Sequence, residues 1–317
     1  MGKRIGELDF LKGICILLMI VFHLVYIGDK YPLTKQFVYT FHMPIFLMIS
    51  GYLMHVEKPA RRFFASMLWI FIPYVIMESG YVVMSSILPV RDKVDDLSAG
   101  LWLEKLFLDP MGPYWYLHTL VLCGVTYWVV DRCGKKLDMV SRLILLALCL
   151  WIEADCVSLM VLSNAFYFMV GVVLHQCRMA YTGFFRPSWL AIVPLVLLAC
   201  FPANFERFTL GGMAIVYTVS AFLLAVYGIL PVGAARFINY WGANSFVLLV
   251  FSPVFTMLVK PLVPLFSFDP TGICFLAVAL TLAVAGSWFL ARVMDLLHLS
   301  RFFWGKDVML QKYPTAE

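Results

Sequence analysis

The stretch Leu8–Gly28, LDFLKGICILLMIVFHLVYIG, decides how the rest of the chain is read. As a helix it is long enough to cross the roughly 30 Å apolar core of a bilayer. It also carries Lys12 near its start and His23 deep in the run. An ionisable side chain is costly to hold inside a membrane, so such a residue points to a working site. A plain anchor needs neither.

The remainder of the chain has the same character. Of 317 residues 62% are hydrophobic and 14% charged, with a mean hydropathy of +0.89, against about 25% charged in soluble domains. The apolar runs are continuous rather than alternating, so helices and not a β-barrel are expected. The fold class is therefore all-α, a polytopic membrane protein forming a single domain over 1–317. Ten spans are expected, at 8–28, 36–55, 63–88, 113–131, 139–157, 160–177, 188–202, 209–230, 244–263 and 271–294. With the N-terminus inside, 17 of the 24 Lys and Arg fall on the cytoplasmic side. That bias fits ten spans with both termini cytoplasmic. The net charge of +5 is spread over loops, which fits topology and not nucleic-acid binding. The eight cysteines form no CxxC pair and read as packing residues, so no metal is expected.

Depth follows from the helical rise of about 1.5 Å per residue. His23 falls about 22 Å from the inner face, His42 and His118 about 9 and 8 Å below the outer face, and Glu78 and Glu153 again at about 22 Å from the inside. These five side chains are expected in one layer, on the outer side of the midplane. A histidine paired with a carboxylate makes a general base, the carboxylate fixing the tautomer. Glu78 is the first choice of partner for His23 and Glu153 the second. For His42, His118 or Glu153 singly, a structural hydrogen bond between helices is the plainer role.

Four further stretches stand out. FHMPIFLMISGY, Phe41–Tyr52, has a proline and a Ser-Gly within a span, suited either to close packing or to a bent helix beside a cavity. PYWYLH, Pro113–His118, places Trp115 and Tyr116 at an interface, where aromatics anchor a helix or hold a sugar. KPARR, Lys58–Arg62, reads as inner-face charge, and Lys58, Arg61 and Arg62 also suit the phosphates of an anionic cofactor. The outer loop from Pro89 to Pro113 carries Asp92, Asp95, Asp96, Glu104 and Asp109 and the amphipathic patch LWLEKLFL, expected to lie on the membrane surface.

RIGELDFLKGICILLMIVFH, FHMPIFLMISGYL, PYWYLHTLVL and NAFYFMVGVVL, in that order and spacing, resemble acyltransferase family 3. Its members include bacterial O-acetyltransferases that modify surface glycans. The resemblance implies a multi-pass protein of the bacterial inner membrane. It implies transfer of an acyl group, as acetyl-CoA, from the cytoplasm to a hydroxyl of an extracytoplasmic glycan or lipid-linked sugar. The family's first span has a basic residue, usually Arg, eleven positions before an essential His. Lys12 and His23 occupy those positions, so the charge is kept and the planar fork lost. The family's Arg-x-x-Arg element has its counterpart in Lys58 and Arg61. On this reading His23 is the base, aided by Glu78. Lys12, Lys58, Arg61 and Arg62 face the cofactor, and His42, Trp115, Tyr116, His118 and Glu153 face the acceptor. The alternative is a proton-coupled transporter or exporter of a glycan or small solute, which the lack of a visible internal repeat disfavours.

Overall fold

A computed structural model of the chain describes residues 4–87, 94 and 96–313. Fifteen α-helices, five short 3-10 or π-helical turns and no strand are present among the described residues. In chain order the helices are α1 Gly6–His23, α2 Val25–Lys30, α3 Pro32–Leu53, α4 Ala60–Ile87, α5 Ala99–Phe107, α6 Trp115–Cys133, α7 Met139–Trp151 and α8 Leu162–Gln176. There follow α9 Tyr181–Phe184, α10 Ile192–Ala199, α11 Leu210–Tyr227, α12 Val232–Ala243, α13 Ser245–Leu258, α14 Ile273–Leu296 and α15 Ser300–Trp304.

Helix occupies each of the ten stretches read as spans, but several are broken. The first divides at Leu24, whose backbone is extended, into α1 and α2. α7 passes into a π-helical turn, Ile152–Cys156. The stretch 188–202 holds only a short 3-10 turn and α10. Among the described residues three helices, α4, α11 and α14, are long and apolar enough to cross a membrane, and a fourth if α12 and α13, bent by 75° at Asn244, count as one span. The shortfall from ten has local causes. α1 carries Glu7, Asp9 and Lys12 in one short helix, and α6 is diluted by His118, two threonines and four Trp and Tyr rings. The patch LWLEKLFL forms α5, which Ser98 starts by accepting a hydrogen bond from the Leu101 amide at 3.1 Å. Of the outer loop, Asp92 and Asp95 lie outside the described residues.

The chain folds as two compact units interleaved in sequence. The first contains the chain up to Phe46, Ala180–Ser300 and the stretch from Asp307; the second contains Leu47–Met179 and Arg301–Lys306. In the first, α1 is central. Leu8, Phe10, Leu11, Cys15, Ile16, Met19, Ile20 and Phe22 are buried, and α1 packs on α11, α12, α13 and α14. Its contact with α12 is the most extensive and is backbone to backbone. A methyl group at Gly13 would lie 2.4 Å from the Ile238 carbonyl oxygen, and one at Gly242 1.7 Å from that of Asp9. In the second unit α4 packs on α5 and α6, α6 on α7, and α7 on α8. The C-terminal end of α3 crosses α8 just as closely, because methyl groups at Gly51 and Gly171 would meet the Phe168 and Met48 carbonyls at 2.1 and 2.0 Å. The Ser-Gly of the second predicted span is thus a packing device here. Ser50 adds a 2.7 Å hydroxyl contact with Tyr116.

Candidate active site

His23 is the last residue of α1, where the helical ladder stops and carbonyls are released. One of these, Phe22 O, accepts a hydrogen bond from the Tyr39 hydroxyl at 3.2 Å. The His23 ring turns back on its own helix, with Nδ1 2.7 Å from the Met19 carbonyl oxygen. A carbonyl only accepts, so Nδ1 carries the proton and the neutral ring keeps its lone pair on Nε2. The tautomer is set by the backbone, a role the sequence reading gives to a carboxylate. His42, in α3, repeats the arrangement: Nδ1 donates to Val38 O at 2.8 Å, and the side chain is buried.

Tyr39 stands between the two rings, 6.1 Å from His23 and 5.0 Å from His42 between centroids. The Lys35 ammonium lies 5.7 Å over the Tyr39 ring. Lys35 acts electrostatically on His23, and Arg207 on His42. Arg207 is brought there by the segment before it. Phe205 packs on Phe37 at 5.5 Å, and its carbonyl accepts from Thr40 Oγ1 at 2.8 Å. The first unit therefore holds a site of two histidines with defined tautomers, one tyrosine and two cations. Tyr39, Lys35 and Arg207 were missed from sequence. The first two carry a usable signal, because Lys35, Tyr39 and His42 are spaced i, i+4, i+7 on one helical face.

At the other end of α1, Lys12 is not a lone charge. Its Nζ pairs with Asp9 Oδ1 at 2.8 Å, and Asp9 Oδ2 accepts from Arg4 Nε at 3.1 Å. The Arg4 guanidinium covers the Tyr313 ring at 5.6 Å, and Asn239 donates to the hydroxyls of Tyr227 and Tyr313 at 3.2 and 3.0 Å. With Glu7 in the same first turn, two cations stand against two carboxylates, and this end of the helix carries no net charge.

The other sequence-predicted residues lie in the second unit, apart from the histidine pair in the division of the fold. Glu78 is fully buried and accepts a 2.5 Å hydrogen bond from the Met111 amide. Beside it, Tyr74 donates to the Leu106 carbonyl at 2.7 Å. His118 is buried, donates from Nε2 to Phe107 O at 3.0 Å and lies 5.7 Å from the Tyr74 ring. Glu78, Tyr74 and His118 thus fasten the segment from α5 to the start of α6. Trp115 and Tyr116 follow at that start, their rings 6.3 Å apart. Glu153, in the π-helical turn, accepts from the Thr126 hydroxyl. Lys58, Arg61 and Arg62 are exposed at the beginning of α4. Of the five ionisable groups expected at one depth, His23 and His42 belong to the first unit and Glu78, His118 and Glu153 to the second.

No curated protein and no solved structure matches the chain. The family model for the acyltransferase 3 domain matches residues 5–292, which takes in most of each unit and every residue of the histidine site. The chain belongs to the acyltransferase 3 family and is a membrane acyltransferase.

Proposed function

We propose that the chain is an O-acyltransferase of the bacterial inner membrane, using cytoplasmic acyl-CoA, most simply acetyl-CoA, to acylate a hydroxyl of an extracytoplasmic glycan or lipid-linked sugar. The observation that carries this reading is the His23 tautomer: with Nδ1–H given to Met19 O at 2.7 Å, Nε2 is the basic nitrogen. In the proposed step Nε2 takes the acceptor hydroxyl proton as that oxygen attacks the thioester carbonyl. The C–S bond then breaks, and the departing thiolate of CoA takes the proton back from the imidazolium. Lys35 and Arg207 supply positive charge where the tetrahedral oxyanion develops. His42 and Tyr39 line the acceptor side. The multi-pass topology, about ten crossings with both termini cytoplasmic, is supported by helix in each of the ten stretches and by the charge bias of the loops.

Lys58, Arg61 and Arg62, exposed ahead of α4, are assigned to the phosphates of the donor, with Lys12 and Arg4 as a second cationic group. Glu78 and Glu153 are engaged by Met111 and Thr126, and we assign them to positioning their segments. Trp115, Tyr116 and His118 remain candidates for contact with the sugar. The test is reconstitution of the full chain in liposomes, with radiolabelled acetyl-CoA on one side and cell-envelope glycans on the other. Label in the glycan fraction, with CoA released in equal amount, is expected. Solute or glycan movement with no acyl transfer to any acceptor would overturn the reading in favour of a transporter.

A further inference from the structure

His55 and Glu57 lie in the turn between α3 and α4, and His175 is in the last turn of α8; all three belong to the second unit. Nε2 of His175 is 3.6 Å from Oε1 of Glu57. The rings of His55 and His175 are 5.5 Å apart, edge to face. One donor atom from each of the three side chains lies within 4.8 Å of the other two. A His–Glu ion pair accounts for one of these contacts but not for a second imidazole at the same carboxylate. From these contacts we infer that His55, Glu57 and His175 bind one divalent first-row transition ion of the zinc class.

Zinc–nitrogen and zinc–oxygen bonds of about 2.0–2.2 Å in a tetrahedron set the ligand atoms roughly 3.4 Å apart. The 3.6 Å Glu57–His175 separation already matches such an edge. The remaining separations close by side-chain rotation, which exposed His55 and Glu57 are free to make. The backbone beneath them is fixed. Arg132 donates to the carbonyls of Lys58 and Val56 at 2.8 and 3.3 Å, its guanidinium lies 5.5 Å from the Trp128 ring, and Val56 is fully buried. The loop is thus clamped from its buried side while the ligands stand on its exposed side, leaving coordination positions for water. Two imidazoles with one carboxylate suit zinc, cobalt or nickel, whereas calcium and magnesium take all-oxygen sets. His55 and His175 are far apart in the chain, so no short spacing betrays the site in the sequence.

The experiment uses the full-length, tag-free protein in detergent, stripped with chelator and titrated with Co²⁺ alone, followed by visible absorption and then by Zn²⁺ displacement. One equivalent of saturable Co²⁺ with ligand-field bands is expected. Affinity should fall about tenfold or more in His55→Ala and in His175→Ala. His55 is exposed, so its variant tests the ligand without endangering the fold. Absence of saturable binding, unchanged affinity in His55→Ala, or a thiolate charge-transfer band abolished by Cys177→Ser would each overturn the proposal.

Discussion

Alanine at Gly242 would place a methyl carbon 1.7 Å from the Asp9 carbonyl oxygen, 2.6 Å from its carbon and 2.9 Å from the Gly13 nitrogen. All three are backbone atoms, so no side-chain rotation relieves the clash. Restoring ordinary contact requires α1 and α12 to part by about 1.5 Å, which undoes dense packing along the seam. Overpacking of this kind costs about 1–3 kcal/mol, and rigid backbone on both sides puts the position at the upper end. The gain from replacing glycine in a helix offsets about 1 kcal/mol, leaving a net loss of about 2 kcal/mol. Gly233, in the same helix, has nothing within 4 Å of the corresponding methyl position. Gly233→Ala, in the first turn of the helix and with no clash, is therefore expected to be neutral to stabilising by up to about 1 kcal/mol. Equilibrium unfolding of both variants in one detergent measures the difference. Gly242→Ala as stable as Gly233→Ala would refute the argument that α1 is held by direct backbone contact.

The same reasoning gives three further expectations. Asp295 accepts hydrogen bonds from the Ser300 hydroxyl at 2.6 Å and from the Met309 amide at 2.7 Å; Asp295→Ala strands a buried amide, costs about 1–3 kcal/mol, and should speed hydrogen exchange at Met309 and Leu310. Asp269, outside the spans, accepts from the Thr271 hydroxyl and the Cys274 amide, bonds that hold its carboxyl below its usual range. A depressed folded-state pKa gives stability that is present above the unfolded value of about 3.9 and is lost as pH falls through the folded one. Asp269→Asn should thus lower the melting temperature at neutral pH and flatten its acid dependence. Lys12→Gln removes one of the two cations on Asp9 and should raise the KM for acyl-CoA more than it lowers kcat, an effect that shrinks in high salt.

What the chain reveals before folding follows from how local each signal is. The long apolar runs dictate helices because lipid admits only helices and closed barrels, and barrel strands would alternate where these runs are continuous; helix is found in every one. His23 is legible because it is the single imidazole in an apolar run. The break directly after it is not, since neither proline nor glycine marks Leu24 and the released Phe22 carbonyl is met by Tyr39 from another helix. The Asp9–Lys12 pair was open to reading from its i, i+3 spacing. Its consequence, a partly neutralised Lys12, changes what that residue contributes. Glu78 looked like a partner for His23 because both fall at similar depth. Depth alone does not report the side a helix presents; Oε1 of Glu78 accepts from the Met111 amide. The bend at Asn244 is likewise tertiary: its side chain pairs with both main-chain groups of Gln311, at 2.8 and 3.1 Å.

The central claim, that His23 Nε2 is the base, is tested most directly by acyl transfer from radiolabelled acetyl-CoA with purified wild type, His23→Ala and His23→Gln. Both variants are expected to lose about 10²-fold or more in kcat while binding CoA as the wild type does. Wild-type turnover in either variant would contradict it.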